Sequence, residues 1–147
     1  HPARFSFEGI ERYPTAGGWR IDAHFEPYEP PRSLPSPTIL GTVTDQPSSG
    51  AVVFEIDGVE HRLDVVAEPG DEELFIIFGD ETNGTETYGG GRYLYADAPG
   101  PDGRVIVDFN RAYNPPCVFT LFATCPLPPP QNELTSRIEA GEKATAK

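Results

Sequence analysis

Apolar residues in this chain occur in short runs that alternate with polar residues, and proline or glycine separates most runs. The chain has 17 prolines and 15 glycines among its 147 residues. Alternation places every second side chain on one face of an extended strand, whereas an amphipathic helix repeats about every 3.6 residues. No stretch of ten residues has convincing helical spacing. The pattern therefore predicts an all-β fold of about eight to ten short strands.

Two turn signals suggest how the strands are connected. Asp57-Gly58 lies between two alternating runs and predicts a type I′ hairpin, because that turn needs positive φ. Residues 91–96 and 104–110 flank a second turn-rich segment and predict a second hairpin. Sequential hairpins favour an antiparallel meander that forms a barrel-like domain or a sandwich. Other strands are predicted at residues 3–10, 19–25, 38–44, 73–78, 117–122 and 136–139, an extended connector at 27–37, a turn at 47–50, and a proline strap at 126–130 whose end Asn132 ties.

Charge and length limit the classes of partner. The chain has 23 acidic and 11 basic side chains, a formal charge of -12. We therefore expect neither nucleic acid nor an anionic membrane surface as a partner. No apolar run approaches the ~20 residues of a membrane span, and no signal peptide is recognised, so a cytoplasmic location is expected. Residues 1–143 are predicted to form one domain and residues 144–147 a disordered tail, whereas the oligomeric state stays open.

Four motifs in the second half of the chain resemble a known family. They are TYGGGRY ending at Tyr93, DFNRAYNPPC ending at Cys117, CPLPPPQN ending at Asn132 and IEAGEK ending at Lys143. The chain resembles a family of bacterial and archaeal proteins that is described only as a domain of unknown function. The resemblance implies a shared fold and a shared site. It supplies no reaction, cofactor, substrate or catalytic residue.

Arg92, which follows three glycines, is the first candidate site residue. Its planar guanidinium can clamp a carboxylate or phosphate of a ligand. Alternatively, it forms a buried ion pair with Asp80, Glu86 or Asp108, because a charge among apolar strand residues needs a partner. The glycines could let the backbone approach an anion, but a bulge or a tight corner at the start of a strand is favoured.

The segment that ends the next strand holds the second group of candidates. Asp108 could act as a general base or orient Arg111 or Arg92. The favoured interpretation is that Asp108 and Asn110 satisfy backbone amides of the following loop. Two prolines then fix the loop that carries Tyr113, Asn114 and Cys117.

Cys117 is either a nucleophile, which would need a lowered pKa and a nearby base, or a buried thiol. A disulfide with Cys125 is sterically possible. The spacing Cys-x7-Cys is not a zinc pattern, and neither a Ser-His-Asp order nor HExxH is present. The sequence therefore predicts no metal and no cofactor.

Three functional hypotheses follow from these residues. The first is a domain that binds a small anionic or carboxylate-bearing molecule in a pocket. The second is an enzyme, a hydrolase or isomerase, that uses Asp108 or Cys117 in the same pocket. The third is a structural or interaction domain without a small-molecule site. The predicted pocket residues are Tyr88, Arg92, Tyr93, Asp108, Asn110, Arg111, Tyr113, Asn114 and Cys117.

Overall fold

The computed structural model describes residues 10–38, 41–87, 91–115 and 126–145. Within these ranges the regular elements are β-strands and short 3₁₀ turns, which confirms the all-β prediction. The 3₁₀ turns are Gly17–Trp19, Phe109–Arg111 and Pro130–Asn132. The strands are β1 (Ile10–Arg12), β2 (Arg20–Pro37), β3 (Val43–Ile56), β4 (Val59–Asp64), β5 (Glu73–Phe78), β6 (Arg92–Asp97), β7 (Arg104–Asp108) and β8 (Glu142–Thr145).

The strands pair in three antiparallel groups. The main sheet has the order β4-β3-β2-β7, and β5 pairs with β6 in a second sheet. Short strands β1 and β8 pair with each other, which brings the two ends of the described chain together. The main sheet curls into a half-barrel rather than closing on itself. The predicted barrel or sandwich is therefore reduced to an antiparallel half-barrel with a small second sheet.

The main sheet contains fewer and longer strands than the sequence predicts. Strand β2 has 18 residues and runs through the proline-rich stretch predicted to be a connector. Strand β3 has 14 residues and includes the stretch 47–50 predicted to be a turn. Strand β7 pairs with β2 only as far as His24, so the prolines lie where β2 has one partner. Proline lacks the backbone N–H that donates a hydrogen bond to a neighbouring strand. It is tolerated where one side of the strand has no neighbour, because no donor is needed on that side.

Several local predictions are confirmed. The Asp57-Gly58 turn joins β3 to β4, and both residues have positive φ, 52° and 80°. In the first part of β2, Ala23 is buried, and Ile21 and Phe25 pack against the core. The predicted strand at residues 73–78 is β5.

Two pairings differ from the prediction. Strands β6 and β7 do not form a hairpin, because β6 pairs with β5 and β7 pairs with β2. The segment between them therefore connects two sheets. Residues 136–139 are irregular, and the last strand is β8, which includes Ala144 and Thr145 of the predicted tail. The predicted strands at 3–10 and 117–122 lie outside the described residues, except for Ile10.

One cluster of buried side chains joins the two sheets. Phe109 is at the centre of this cluster. The centre of its ring is 5.3 Å from the ring centre of Phe78 and 5.7 Å from that of Phe54. Asn132 adds a polar link, because its amide donates 2.9 Å hydrogen bonds to the carbonyls of Asp64 and Ile77. These contacts fix the position of β6 and of the turn after β7, which carry the predicted site residues.

Candidate functional site

Arg92 lies at the start of β6 with its side chain fully buried. Its Nη2 atom is 3.4 Å from Oδ1 of Asp80 and donates to the carbonyl of Ile138 at 2.9 Å. Its Nη1 atom donates to the carbonyls of Ala140 and, at 3.2 Å, Glu142. The sequence suggested that Arg92 either clamps a ligand or forms a buried ion pair. Its contacts in the structure are those of a buried ion pair with Asp80.

Asp80 accepts several hydrogen bonds in this buried position. Its carboxylate accepts from the hydroxyl of Thr82 at 2.8 Å and from the backbone N–H of Ile138 at 2.6 Å. Burial lowers the pKa of the Arg92 guanidinium, and the nearby Asp80 carboxylate opposes this shift. The pair therefore ties the loop after β5 to residues 138–142, which are far away in sequence.

Of the triple glycine, only Gly91 lies within the described residues. Its φ is 87°, and a Cβ atom there would lie 2.6 Å from the carbonyl oxygen of Phe78 and 2.5 Å from Cγ of Pro128. Both observations fit the tight corner favoured from the sequence, because only glycine combines positive φ with so close a contact. Gly91 thus serves packing at the start of β6.

Tyr93, Tyr113 and Asn114 form a second group of predicted residues. The backbones of Tyr93 and Tyr113 exchange two hydrogen bonds of 2.9 Å. The amide of Asn114 donates to the carbonyl of Lys143 at 3.0 Å, and its backbone N–H donates to the Glu142 carboxylate at 2.8 Å. Burial is the main cause that raises the pKa of Tyr113 to about 12, and the nearby Tyr95 is the second cause. This group anchors the segment after β7 to β6 and β8.

Asp108 and Asn110 belong to the turn at the end of β7. The Asp108 carboxylate accepts from the backbone N–H of Asn110 at 3.1 Å and from its side-chain amide at 2.9 Å. The amide of Asn110 also donates to the carbonyl of Ala16 at 2.8 Å. Asp108 therefore has the amide-capping contacts that the sequence favoured for it.

The Arg20/Arg111 cleft, a concavity of about 190 Å³ next to this turn, contains two of the predicted residues, Asp108 and Arg111. Arg20 enters the same cleft because it lies directly opposite Asp108 in the β2–β7 pair. Neither Arg20 nor Arg111 forms a salt bridge or a side-chain hydrogen bond with a described residue. The cleft is lined by Arg20, Glu73, Tyr95, Ala96, Asp97, Ile106, Asp108 and Arg111.

A model of the family described as "Protein of unknown function (DUF1684)" matches residues 5–143. The chain belongs to the DUF1684 family. This confirms the resemblance that the four motifs suggested. The fold of this DUF1684 chain is similar to the solution NMR structure of an uncharacterized protein from Haloarcula marismortui. The two share 30% sequence identity and a TM-score of 0.76 over 95% of this chain and 78% of that one. No match is found among curated proteins.

The DUF1684 structure divides the predicted site residues into separate groups. Asp108 and Arg111 line one cleft, Arg92 is buried at the ion pair, and Tyr93, Tyr113 and Asn114 lie in the packed junction with β8. Tyr88, Cys117 and Cys125 lie outside the described residues.

Arg20 is the residue that sequence reasoning missed. It alternates with buried residues on the polar face of β2, and such positions are usually solvated. Only the pairing of β2 with β7 brings Arg20 close to Asp108, and the sequence did not predict that pairing. The one available signal was its place on the polar face of the strand predicted at residues 19–25.

Two further properties concern only the part of the chain that the structure describes. No group of three or more histidine, cysteine, aspartate or glutamate side chains there is arranged to hold a metal ion. No helix there is long and apolar enough to cross a membrane.

Proposed function

We propose that this DUF1684 protein binds a small carboxylate-bearing molecule in the Arg20/Arg111 cleft. The proposal depends on which arginines have a carboxylate partner and which do not. Five of the arginines in the described ranges have carboxylate partners, and Arg32 lies 3.9 Å from the ring centre of Tyr28. Arg20 and Arg111 have no such partner among the described residues and share one cleft. The five paired arginines are Arg12, Arg62, Arg92, Arg104 and Arg137.

A carboxylate is the ligand group that best matches two guanidinium groups. Each guanidinium presents a planar fork of N–H donors, and hydrogen bonds to an ionised acceptor are about twice as strong as neutral ones. Arg20 and Arg111 have no carboxylate partner among the described residues, so the cleft offers an anion two guanidinium groups, which lie among the carboxylates of Glu73, Asp97 and Asp108. The volume of about 190 Å³ suits a compact molecule.

The remaining lining residues narrow the ligand class. Tyr95 and Ile106 provide apolar surface, and Glu73 and Asp97 are directly opposite each other in the β5–β6 pair. The cleft also contains three carboxylates, those of Glu73, Asp97 and Asp108, and these favour a ligand that also carries an N–H or O–H donor. An amino or hydroxy acid therefore fits the cleft better than a simple dicarboxylate.

The geometry supports binding more than catalysis. Asp108, the candidate general base, already accepts two hydrogen bonds from Asn110. These contacts suit a positioning role for Asp108 in the turn that presents Arg111. Arg92, the arginine favoured from the sequence, contributes to the scaffold in this proposal through its contacts with Asp80 and Ile138.

The test is an NMR titration of the ¹⁵N-labelled protein with serine, succinate and the uncharged analogue succinamide. We expect serine to shift the amide signals of residues around Arg20 and Arg111, succinate to shift them less, and succinamide to leave them unchanged. Loss of one charged hydrogen-bond pair costs about 1.5–3 kcal/mol, so Arg20→Gln and Arg111→Gln should each weaken binding by roughly tenfold or more.

Arg104→Gln is the matched control. It removes the same charge from an exposed arginine that pairs with Asp22, outside the cleft. If the control weakens serine binding as much as Arg111→Gln, the effect is that of net charge and the proposal is wrong. It is also wrong if none of the three compounds shifts signals at the cleft.

A further inference from the structure

A second concavity, which we call the proline cleft, lies on the other part of β2 and has a volume of about 370 Å³. This volume falls within the range of about 300–1,000 Å³ that is typical of small-molecule sites. It shares no lining residue with the Arg20/Arg111 cleft. Its apolar wall includes Phe25, Pro27, Tyr28, Pro31, Pro69, Leu74 and Pro99.

A break in the pairing of β2 with β3 forms one side of the proline cleft. Pro27 is opposite Gly50, whereas Arg32 is opposite Ser48, so β2 has extra residues between these two points. The extra segment includes Pro30 and Pro31, which lack the N–H groups that regular pairing would use. The strand therefore bulges away from its partner, and the rigid prolines hold the cleft wall in place.

Tyr28 is fixed in this wall by polar contacts behind it. Its hydroxyl donates to the carboxylate of Asp64 and accepts from Nη2 of Arg62 at 3.3 Å. The side chain is 8% exposed. The guanidinium of Arg32 already lies over this ring, 3.9 Å from its centre, so the ring contributes preformed apolar surface to the cleft rather than a cation site.

The polar groups of the proline cleft are acidic or neutral. Glu29, Glu68 and Asp71 line it, and no arginine, lysine or histidine is among the described residues of its lining. Neither Glu29 nor Glu68 forms a salt bridge with any residue that the structure describes. Asp71 accepts a hydrogen bond of 2.8 Å from the backbone N–H of Glu68. This bond fixes the turn that carries the carboxylates of Glu68 and Asp71.

Ser49 adds a polar group to the wall of the cleft. The residue is 8% exposed, and its hydroxyl makes no hydrogen bond to a described residue. The hydroxyl oxygen itself is accessible from the cleft, so it offers an acceptor to a ligand that carries an N–H group.

From these features we infer that the proline cleft binds a small organic amine that carries an apolar group. The apolar wall accepts the hydrocarbon part, and Glu29 and Glu68 attract the ammonium. The charge is complementary, because the described residues of the lining include three carboxylates and no basic side chain. This site is distinct from the proposed carboxylate site and does not depend on it.

The experiment compares three probes of similar shape: 2-phenylethylammonium, 2-phenylethanol and 3-phenylpropanoate. Each is titrated into the ¹⁵N-labelled full chain at low and at moderate salt. We expect the ammonium to shift amide signals in residues 25–31 and 68–71, with roughly tenfold tighter binding than the alcohol, because only the ammonium carries a charge that the carboxylates of the cleft attract. The carboxylate should bind most weakly.

The double variant Glu29→Gln/Glu68→Gln should remove the preference for the ammonium over the alcohol and leave binding of the alcohol unchanged. The matched control is Glu55→Gln/Glu60→Gln, which makes the same change of charge at two facing exposed positions outside the cleft. The inference is overturned if the control loses the preference equally, if ammonium and alcohol bind alike, if signals shift elsewhere, or if no probe binds. Arg111→Gln should leave ammonium binding unchanged, which separates this site from the carboxylate site.

Discussion

The substitution Arg92→Met tests the scaffold role of the buried ion pair. Methionine keeps much of the side-chain length but removes the guanidinium. The Asp80 carboxylate, which is fully buried, then loses its cation, and the carbonyls of Ile138, Ala140 and Glu142 lose their side-chain donors. Breaking one member of a buried pair costs about 3–5 kcal/mol, a large part of a total stability of about 5–15 kcal/mol.

The assay is urea unfolding followed by the fluorescence of Trp19, together with thermal unfolding. A domain of this size loses about 2–4 °C in Tm per kcal/mol, so we expect Arg92→Met to lower Tm by roughly 6–20 °C. Arg104→Met is the matched control, because Arg104 is 61% exposed and its pair with Asp22 lies at the surface. An exposed pair contributes about 0–1 kcal/mol, so the control should unfold close to the wild type.

A double-mutant cycle distinguishes the pair from general loss of packing. Asp80→Asn keeps the shape of the side chain, and the Asp80→Asn/Arg92→Met variant removes both charges. We expect the double variant to lose less stability than the two single variants added together, with a coupling of roughly 1–3 kcal/mol. The reasoning fails if Arg92→Met is no more destabilising than Arg104→Met, or if the cycle is additive.

Two further predictions concern the backbone at Gly91 and the tyrosines. Gly91→Ala should destabilise the fold by roughly 3 kcal/mol, because a Cβ atom would lie 2.6 Å from the carbonyl oxygen of Phe78 at positive φ. Gly84→Ala is the control, and both variants are compared by urea unfolding. Gly84 also has positive φ, 86°, but nothing lies within 4 Å of the added Cβ atom, so only about 1–2 kcal/mol of backbone strain is expected. If both variants lose the same free energy of unfolding, the close contact at Gly91 does not destabilise the fold. The second prediction is that stability falls with alkaline pH, since burial is the main cause that raises the pKa of Tyr13, Tyr28 and Tyr113, the last to about 12. The unfolded chain releases these protons from about pH 10, so the stability from the neutral phenols is complete below that pH and is lost as pH rises towards 12. Urea unfolding at pH 8, 10 and 11, with absorbance at 295 nm as a second signal, checks this; constant stability up to pH 11 would refute it.

The local pattern of the sequence determined the class of the fold and several of its details. Alternation along residues 19–25 identified the buried face of β2, and Asp57-Gly58 identified the β3–β4 hairpin. These features depend on neighbours in the chain: a strand exposes every second side chain, and a two-residue turn needs positive φ. The motifs also identified the family, and the favoured roles of Gly91 and Asp108 match their contacts.

Tertiary structure alone decided the strand pairing and therefore the sites. Prolines that predicted a connector are tolerated in β2 because that part of the strand has only one partner. Arg92 finds acceptors about fifty residues away at Ile138 and Glu142, and no local pattern encodes that contact. The pairing of β2 with β7 placed Arg20 opposite Asp108 and beside Arg111. Alternation tells which face of a strand is buried, but which strand lies beside it depends on burial and hydrogen bonding across the whole chain.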